Sequence, residues 1–301
     1  MTATAARSER VTRDRTLDGR LAWLMEPAPA RRLELVRIIT VLYALIWIVV
    51  RTDHWRDLAA LPASRWDPVG IGDWVGGHPS SAVVTAVAIL TFVVGVVGLS
   101  GRRWSIAGPL FAIGFLWLTT FGAAWGQILH TEQLPALHLL VLAAAPSGRG
   151  TSATTGWPLK VLTLVTVGTY VVAGLAKFRF GGGWSWLDGD RLLRLVAHDN
   201  LRKRLLGDSY SPIAEHVIGH PLLFRVGVWL TLVVELGAPM VFFGRRLRHA
   251  WMAMAWTFHV SVLALMAVFF PYPLFGIAFA SMLPVERLLP RSMSASQPDT
   301  G

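Results

Sequence analysis

The 301-residue chain contains no cysteine. That excludes disulfides, thiolate metal centres, iron–sulfur clusters and a cysteine nucleophile. Charge is scarce too: 15% of residues are Asp, Glu, Lys or Arg, where soluble domains average about 25%. Acidic residues are the minority within that small set, 18 against 28 Lys and Arg, for a net charge of +10. No internal repeat and no low-complexity tract is visible. An HExxH zinc motif is missing, so no metal is expected. The opening stretch, MTATAARSERVTRDRTLDGR, leads into no apolar core with a small-residue cleavage site, and is not read as a cleaved signal peptide.

What remains is apolar. Hydrophobic residues make up 53% of the chain, Trp occurs 14 times, and mean hydropathy is +0.50. Trp is favoured at membrane–water interfaces. This composition describes a single all-α polytopic bundle in an integral membrane protein. The basic residues cluster beside apolar segments, so they are assigned to membrane orientation rather than to nucleic acid. A spanning helix needs about 20 mostly apolar residues. Candidates are Leu33–Val50, Ser81–Leu99, Trp104–Trp125, a short Leu134–Ala145, Trp157–Ala176, Leu222–Phe243, Ala250–Phe270 and a short Leu274–Leu283, giving seven to eight segments. Counting eight puts the basic N-terminal tail, Arg102, Arg103, Arg149, Lys160, Arg245, Arg246, Arg248, Arg287 and Arg291 on one side, with both termini cytoplasmic. The expected division is a basic, disordered cytoplasmic tail over 1–30, a membrane domain over 31–285 and a polar tail over 286–301. The opposite side receives two Trp/Gly/Asp-rich loops, 51–79 and 178–220.

Ionisable residues inside membrane segments are costly and mark function by default. Here they are Glu34, Arg37, His138, Lys177, Glu235 and His259. Lys177 closes YVVAGLAK, just before a GGG turn. It reads equally as a snorkelling anchor and as a desolvated amine able to act as a base. His138 in LPALHLLVLAAAP and His259 in WTFHVSVLALM are lone histidines in apolar runs. Each alone is more often a satisfied helix contact than a ligand; together they suit hydrogen bonding to a ligand or proton movement. Glu235 in LTLVVELGAPMVFF must be paired, protonated or facing a wet cavity. An ion pair with Arg37 is the leading structural account.

Four stretches, in order, resemble the HTTM (horizontally transferred transmembrane) domain, the membrane part of vitamin K-dependent gamma-carboxylase, in its short bacterial form. They are RLELVRIITVLYALI, WDPVG, YVVAGLAK followed by WLDG, and VELGAPMVFFGRRLRHAWMAMAWTFH, spread over about residues 30–285. The resemblance implies a membrane-embedded enzyme of a bacterial cell membrane, with a lysine base on a lipophilic quinol. By motif match Lys177 takes the place of the family's base. His259 takes the Phe-His position, and His138 a second histidine position. Trp186, Gly189, Glu235 and Arg37 are then candidates for holding a reduced quinone of the vitamin K or menaquinone type. The implied partners are membrane lipids and a lipophilic small molecule or peptide substrate. Nothing in the 301 residues is like the carboxylase's soluble lobe, so the expectation is base chemistry without peptide carboxylation. The competing readings are a non-catalytic membrane accessory, a lipid- or quinone-binding module and, last, a transporter, for which matching broken-helix repeats are missing.

Overall fold

Proline and glycine set most of the helix ends. The computed structural model describes residues 22–74, 77–101, 103–126, 130–147 and 150–288. Internal packing divides the chain into two units, Met1–Thr163 with Leu283–Gly301, and Leu164–Met282. The first unit contains α1 (Ala30–Ala59), α2 (Ser81–Leu99), α3 (Trp104–Ala123), α4 (His130–Ala144) and the start of α5 (Ala153–Phe180). A two-residue strand, β1 (Ala28–Pro29), pairs antiparallel with β2 (Thr151–Ser152).

Helices α1 to α4 pack on one another around fully buried Phe111, Phe115, Leu118, Leu139 and Leu142. Small residues let α2 and α3 approach closely, as in membrane bundles. A Cβ at Gly114 would lie 2.3 Å from Thr91 Oγ1, and one at Gly95 would lie 2.5 Å from the Phe111 ring. Ser80 opens α2 by accepting the Val83 N–H on its hydroxyl, a favourable N-cap.

Arg32 on α1 donates to both oxygens of Glu286, at 2.8 and 2.7 Å. Those charged hydrogen bonds hold the Glu286 carboxyl below its ordinary range. A carboxylate with a lowered folded pKa adds stability above its unfolded value, and loses it as pH falls through the folded one. The pair is partly exposed, so Glu286→Gln should cost about 1 kcal/mol or less at pH 7. Amide exchange over 283–288 should rise in that variant. In the unsubstituted protein the same rise should come only under acid, below the ordinary carboxylate range.

The second unit holds the end of α5, a 3-10 turn at Gly183–Asp188, α6 (Asp190–Leu206), α7 (Pro212–Val217), α8 (Pro221–Leu236), α9 (Arg245–Met266) and α10 (Pro271–Leu274). α6, α7 and α8 all pack against α9. The last carbonyls of α9 find side-chain donors. Ser211 Oγ donates to Ala264 O, Asn200 Nδ2 to Leu265 O at 2.8 Å, and Lys203 Nζ to Met266 O at 2.5 Å. These satisfy carbonyls that a helix end otherwise leaves open.

Among the described residues five helices, α1, α2, α3, α5 and α9, are long and apolar enough to cross a membrane. That differs from the seven to eight segments expected. The 15 residues of α4 and 16 of α8 reach about 22–24 Å, short of a hydrocarbon core of about 30 Å. α8 stops where Gly237–Ala238–Pro239 turns into a 3-10 helix. The expected Leu274–Leu283 segment is broken into short turns, with Gly276 at φ 74°. α9 begins at Arg245 and ends at Met266 rather than running over Ala250–Phe270, and two more helices outrun their expected limits. α1 continues to Ala59 and α5 to Phe180, so 51–59 is helix rather than outer loop and Lys177 sits inside a helix.

The expected N-terminal tail lies outside the described residues up to Leu21, and the C-terminal tail from Leu289. Arg102, Arg149 and Arg291 of the charge count lie outside them as well. In the described part of the N-terminal tail, Glu26 binds Lys160 Nζ of α5, which lies 5.2 Å from the Trp23 ring.

Candidate functional site

On α5, Tyr170, Gly174 and Lys177 follow at i, i+4 and i+7, one face of the helix. Gly174 lets that face meet the end of α8, since a Cβ there would lie 2.7 Å from Leu236 Cδ2 and 3.1 Å from Glu235 Cβ. Two turns' worth of side chains then meet α8 and α9 within the second unit.

Lys177 Nζ donates to Glu235 Oε1 at 2.5 Å. The pair is asymmetric: the Lys177 side chain is 27% exposed and that of Glu235 is 3% exposed. The ammonium neutralises a carboxylate that α8 would otherwise bury alone, at large cost. Glu235 Oε2 is buried without a hydrogen-bond partner, leaving one acceptor free.

His259, on α9, binds the Tyr170 hydroxyl through Nε2 at 2.7 Å. Its ring is enclosed by Tyr170, Phe258 and Phe270, at centroid distances of 5.9, 5.2 and 5.2 Å. Nδ1 is buried and unpartnered. If the phenol donates to Nε2, Nδ1 carries a proton and is a free donor; in the other tautomer it is a free acceptor. Trp251 ties the two halves of the cluster. Its ring meets Tyr170 edge-on at 5.0 Å, and its Nε1 donates to Val234 O, next to Glu235, at 2.8 Å. Lys177, Glu235, Tyr170 and His259 thus form one polar cluster in an apolar unit, with one free oxygen and one free ring nitrogen.

The other candidates have structural partners. Trp186 is buried against Val228 and Leu232. Gly189 stands at φ 87°, and a Cβ there would lie 2.5 Å from Arg225 N. His138 belongs to the first unit, is 2% exposed and hydrogen-bonds the Leu162 backbone. Glu34 is exposed. The expected Arg37–Glu235 ion pair is replaced on both sides. Glu235 takes Lys177, while Arg37 Nη2 donates to Ala145 O and Pro146 O at 3.2 and 3.1 Å. Its guanidinium lies 4.8 Å from the Trp104 ring centre. A cation is favoured at a helix C-terminus, and Arg37 occupies that position for α4.

Sequence reasoning missed Tyr170, Trp251 and Glu132. Tyr170 was within reach, being seven residues before Lys177 on the same helix face. Glu132 was not. It is 1% exposed and accepts from Arg51 Nε at 2.9 Å and Trp47 Nε1 at 3.1 Å, partners more than eighty residues away in the chain. Among the described residues no three His, Asp or Glu side chains gather as metal ligands. No protein-family model matches the chain, and no curated protein or solved structure matches it.

Proposed function

We propose that the protein is a membrane-embedded enzyme that removes a proton from a lipophilic quinol, with the Lys177–Glu235 pair as base. The observation that carries this reading is the pair itself: a lysine bonded to a buried carboxylate whose second oxygen is free. The proton leaves the quinol oxygen and a new N–H bond forms at Lys177, once its ammonium has passed a proton to Glu235. The quinol departs as its monoanion and the pair gains one positive charge. His259, held by Tyr170, hydrogen-bonds the quinol oxygen through Nδ1. The resemblance of YVVAGLAK and AWTFH to the membrane part of vitamin K-dependent gamma-carboxylase supports the same roles. His138 and Arg37 serve the bundle in this reading, as do Trp186 and Gly189. A short bacterial HTTM protein is the corresponding family proposal. It places the protein in the cell membrane with both termini cytoplasmic; seven to eight passages then require the bilayer to thin around the short α4 and α8 and around the broken stretch 271–283.

The test is loss of reduced menaquinone in air, above its uncatalysed rate, by protein held in lipid nanodiscs, where O₂ takes two electrons and the remaining proton from the released monoanion to give quinone and hydroperoxide. Lys177→Ala should reduce turnover at least about a hundredfold, the lower end of what a positioned base contributes, while keeping the far-ultraviolet circular dichroism of a helical protein. Undiminished turnover in a folded Lys177→Ala protein would eliminate the reading. A purely structural pair is favoured by one fact, that Lys177 is partly exposed, as a snorkelling lysine is.

A further inference from the structure

A second site lies in the same unit and rests on neither the base nor the quinol. α9 is one of the membrane-length helices, so its C-terminal end lies at a membrane surface. α6 is fastened to that end through Asn200 and Lys203, and therefore lies at the same surface. Its 17 residues carry five Lys/Arg against two Asp, a net charge of 5 − 2 = +3. Exposed leucines accompany them, Leu195, Leu201 and Leu205. That mixture is characteristic of a helix at the headgroup level.

Beneath α6 runs an apolar groove of about 380 Å³, lined by Leu192 and Val196 of α6, Phe224 and Val233 of α8, and Phe258 and Leu265 of α9. Two of its three hydroxyls are spent on their own helices, which leaves that of Thr257. Thr231 donates to Gly227 O at 2.8 Å and Ser261 to Thr257 O at 2.9 Å. The groove therefore offers hydrocarbon contact and little for a polar ligand. Leu230 and Val233 on its α8 side are 60% and 48% exposed, so it opens outward at the depth of the acyl chains. Arg191 and Arg194, both exposed, flank Leu192 in sequence and face away from the groove on α6, with the Arg191 guanidinium over the Gly182–Ser185 turn. The ion pairs of α6 use Arg202, Lys203 and Arg204, and leave these two guanidinium groups unpaired among the described residues.

We propose that this groove holds one anionic phospholipid, with an acyl chain along α8 and α9 and the phosphate at Arg191 and Arg194. An apolar slot, two unpaired cations on the outward side of the helix that covers it and the fixing of that helix at the membrane surface together specify both ends of such a molecule. A neutral lipid would satisfy the slot and leave the cations without a partner.

The test uses the full chain in nanodiscs of phosphatidylglycerol or of phosphatidylcholine, released into detergent and weighed by native mass spectrometry. One phosphatidylglycerol should stay bound, preferred over phosphatidylcholine by about 30-fold, the effect of two cations at a lipid surface. Arg191→Gln with Arg194→Gln, both surface changes, should erase the preference and keep the fold. Gly227→Leu projects a side chain into the groove from a position where a Cβ has room, 3.5 Å from Leu192 Cδ2. It should abolish retention of either lipid. Millimolar inorganic phosphate should not displace the bound lipid. Equal retention of the two lipids would overturn the proposal. So would lipid binding that survives Gly227→Leu, a second copy of the chain closing the groove, or displacement by neutral menaquinone.

Discussion

Lys177→Met is expected to destabilise the protein by about 3 kcal/mol, the cost of stranding a buried charge. Glu235→Gln is expected to cost clearly less. The difference follows from exposure. Removing the lysine leaves a carboxylate whose side chain is 3% exposed, with neither oxygen paired. Removing the carboxylate leaves a lysine that is 27% exposed and able to carry its ammonium outward along an apolar stem. The double variant Lys177→Met, Glu235→Gln should recover to within about 1 kcal/mol of the parent, because no buried charge is left over. Thermal unfolding of all four proteins in one detergent gives the coupling energy directly. Equal losses for the two single variants, adding in the double, would show that Nζ and Oε1 are not paired. The same four proteins separate anchor from base. If the pair only neutralises a buried carboxylate, the double variant regains stability and everything else. If Lys177 is the base, the double variant regains stability and remains inactive on the quinol.

This pair also shows where sequence reasoning succeeds and where it stops. The apolar runs are local, so α2 could be placed at Ser81–Leu99 to the residue. Charged residues inside such runs are equally visible, which is why Lys177, Glu235 and His259 could be selected. The choice of partner is a tertiary fact. Arg37 and Lys177 were both available cations for Glu235, and periodicity does not rank them. Gly174 decides in favour of Lys177 by admitting α8 against its own face of α5. Helix length was misjudged wherever a breaker interrupts an apolar run, at Gly237–Pro239 and again beyond Pro271, because hydropathy continues through residues that the backbone cannot carry as helix. Amphipathic α6 was hidden for the opposite reason. With two Asp and five Lys/Arg it reads as a polar loop, and only its bonds to the end of α9 reveal it as a fixed element.

Gly189→Ala should be strongly destabilising to the second unit, at about 2–6 kcal/mol. Two costs combine. Gly189 stands at φ 87° between the 3-10 turn and α6, where a side chain adds strain of about 1–3 kcal/mol. Its missing Cβ would also lie 2.5 Å from Arg225 N and 2.7 Å from Arg225 Cα. Backbone cannot rotate aside as a side-chain tip can, so α6 and α8 would have to separate, at a further cost of about 1–3 kcal/mol. Gly207 supplies the control. It has a similar φ of 73° at the other end of α6, with nothing within 4 Å of a Cβ, so Gly207→Ala carries the strain alone. Thermal unfolding of the two variants side by side isolates the contact, and amide exchange along α6 locates it. Equal losses would mean that α8 does not press on Gly189 and that backbone strain accounts for the whole cost. A larger loss at Gly189, with exchange rising from the start of α6, makes it the hinge point that sets α6 on α8. Arg191 and Arg194 lie in the first turns of α6 after Gly189, so the same displacement should weaken the preference for anionic lipid in a protein whose Lys177–Glu235 pair is unchanged.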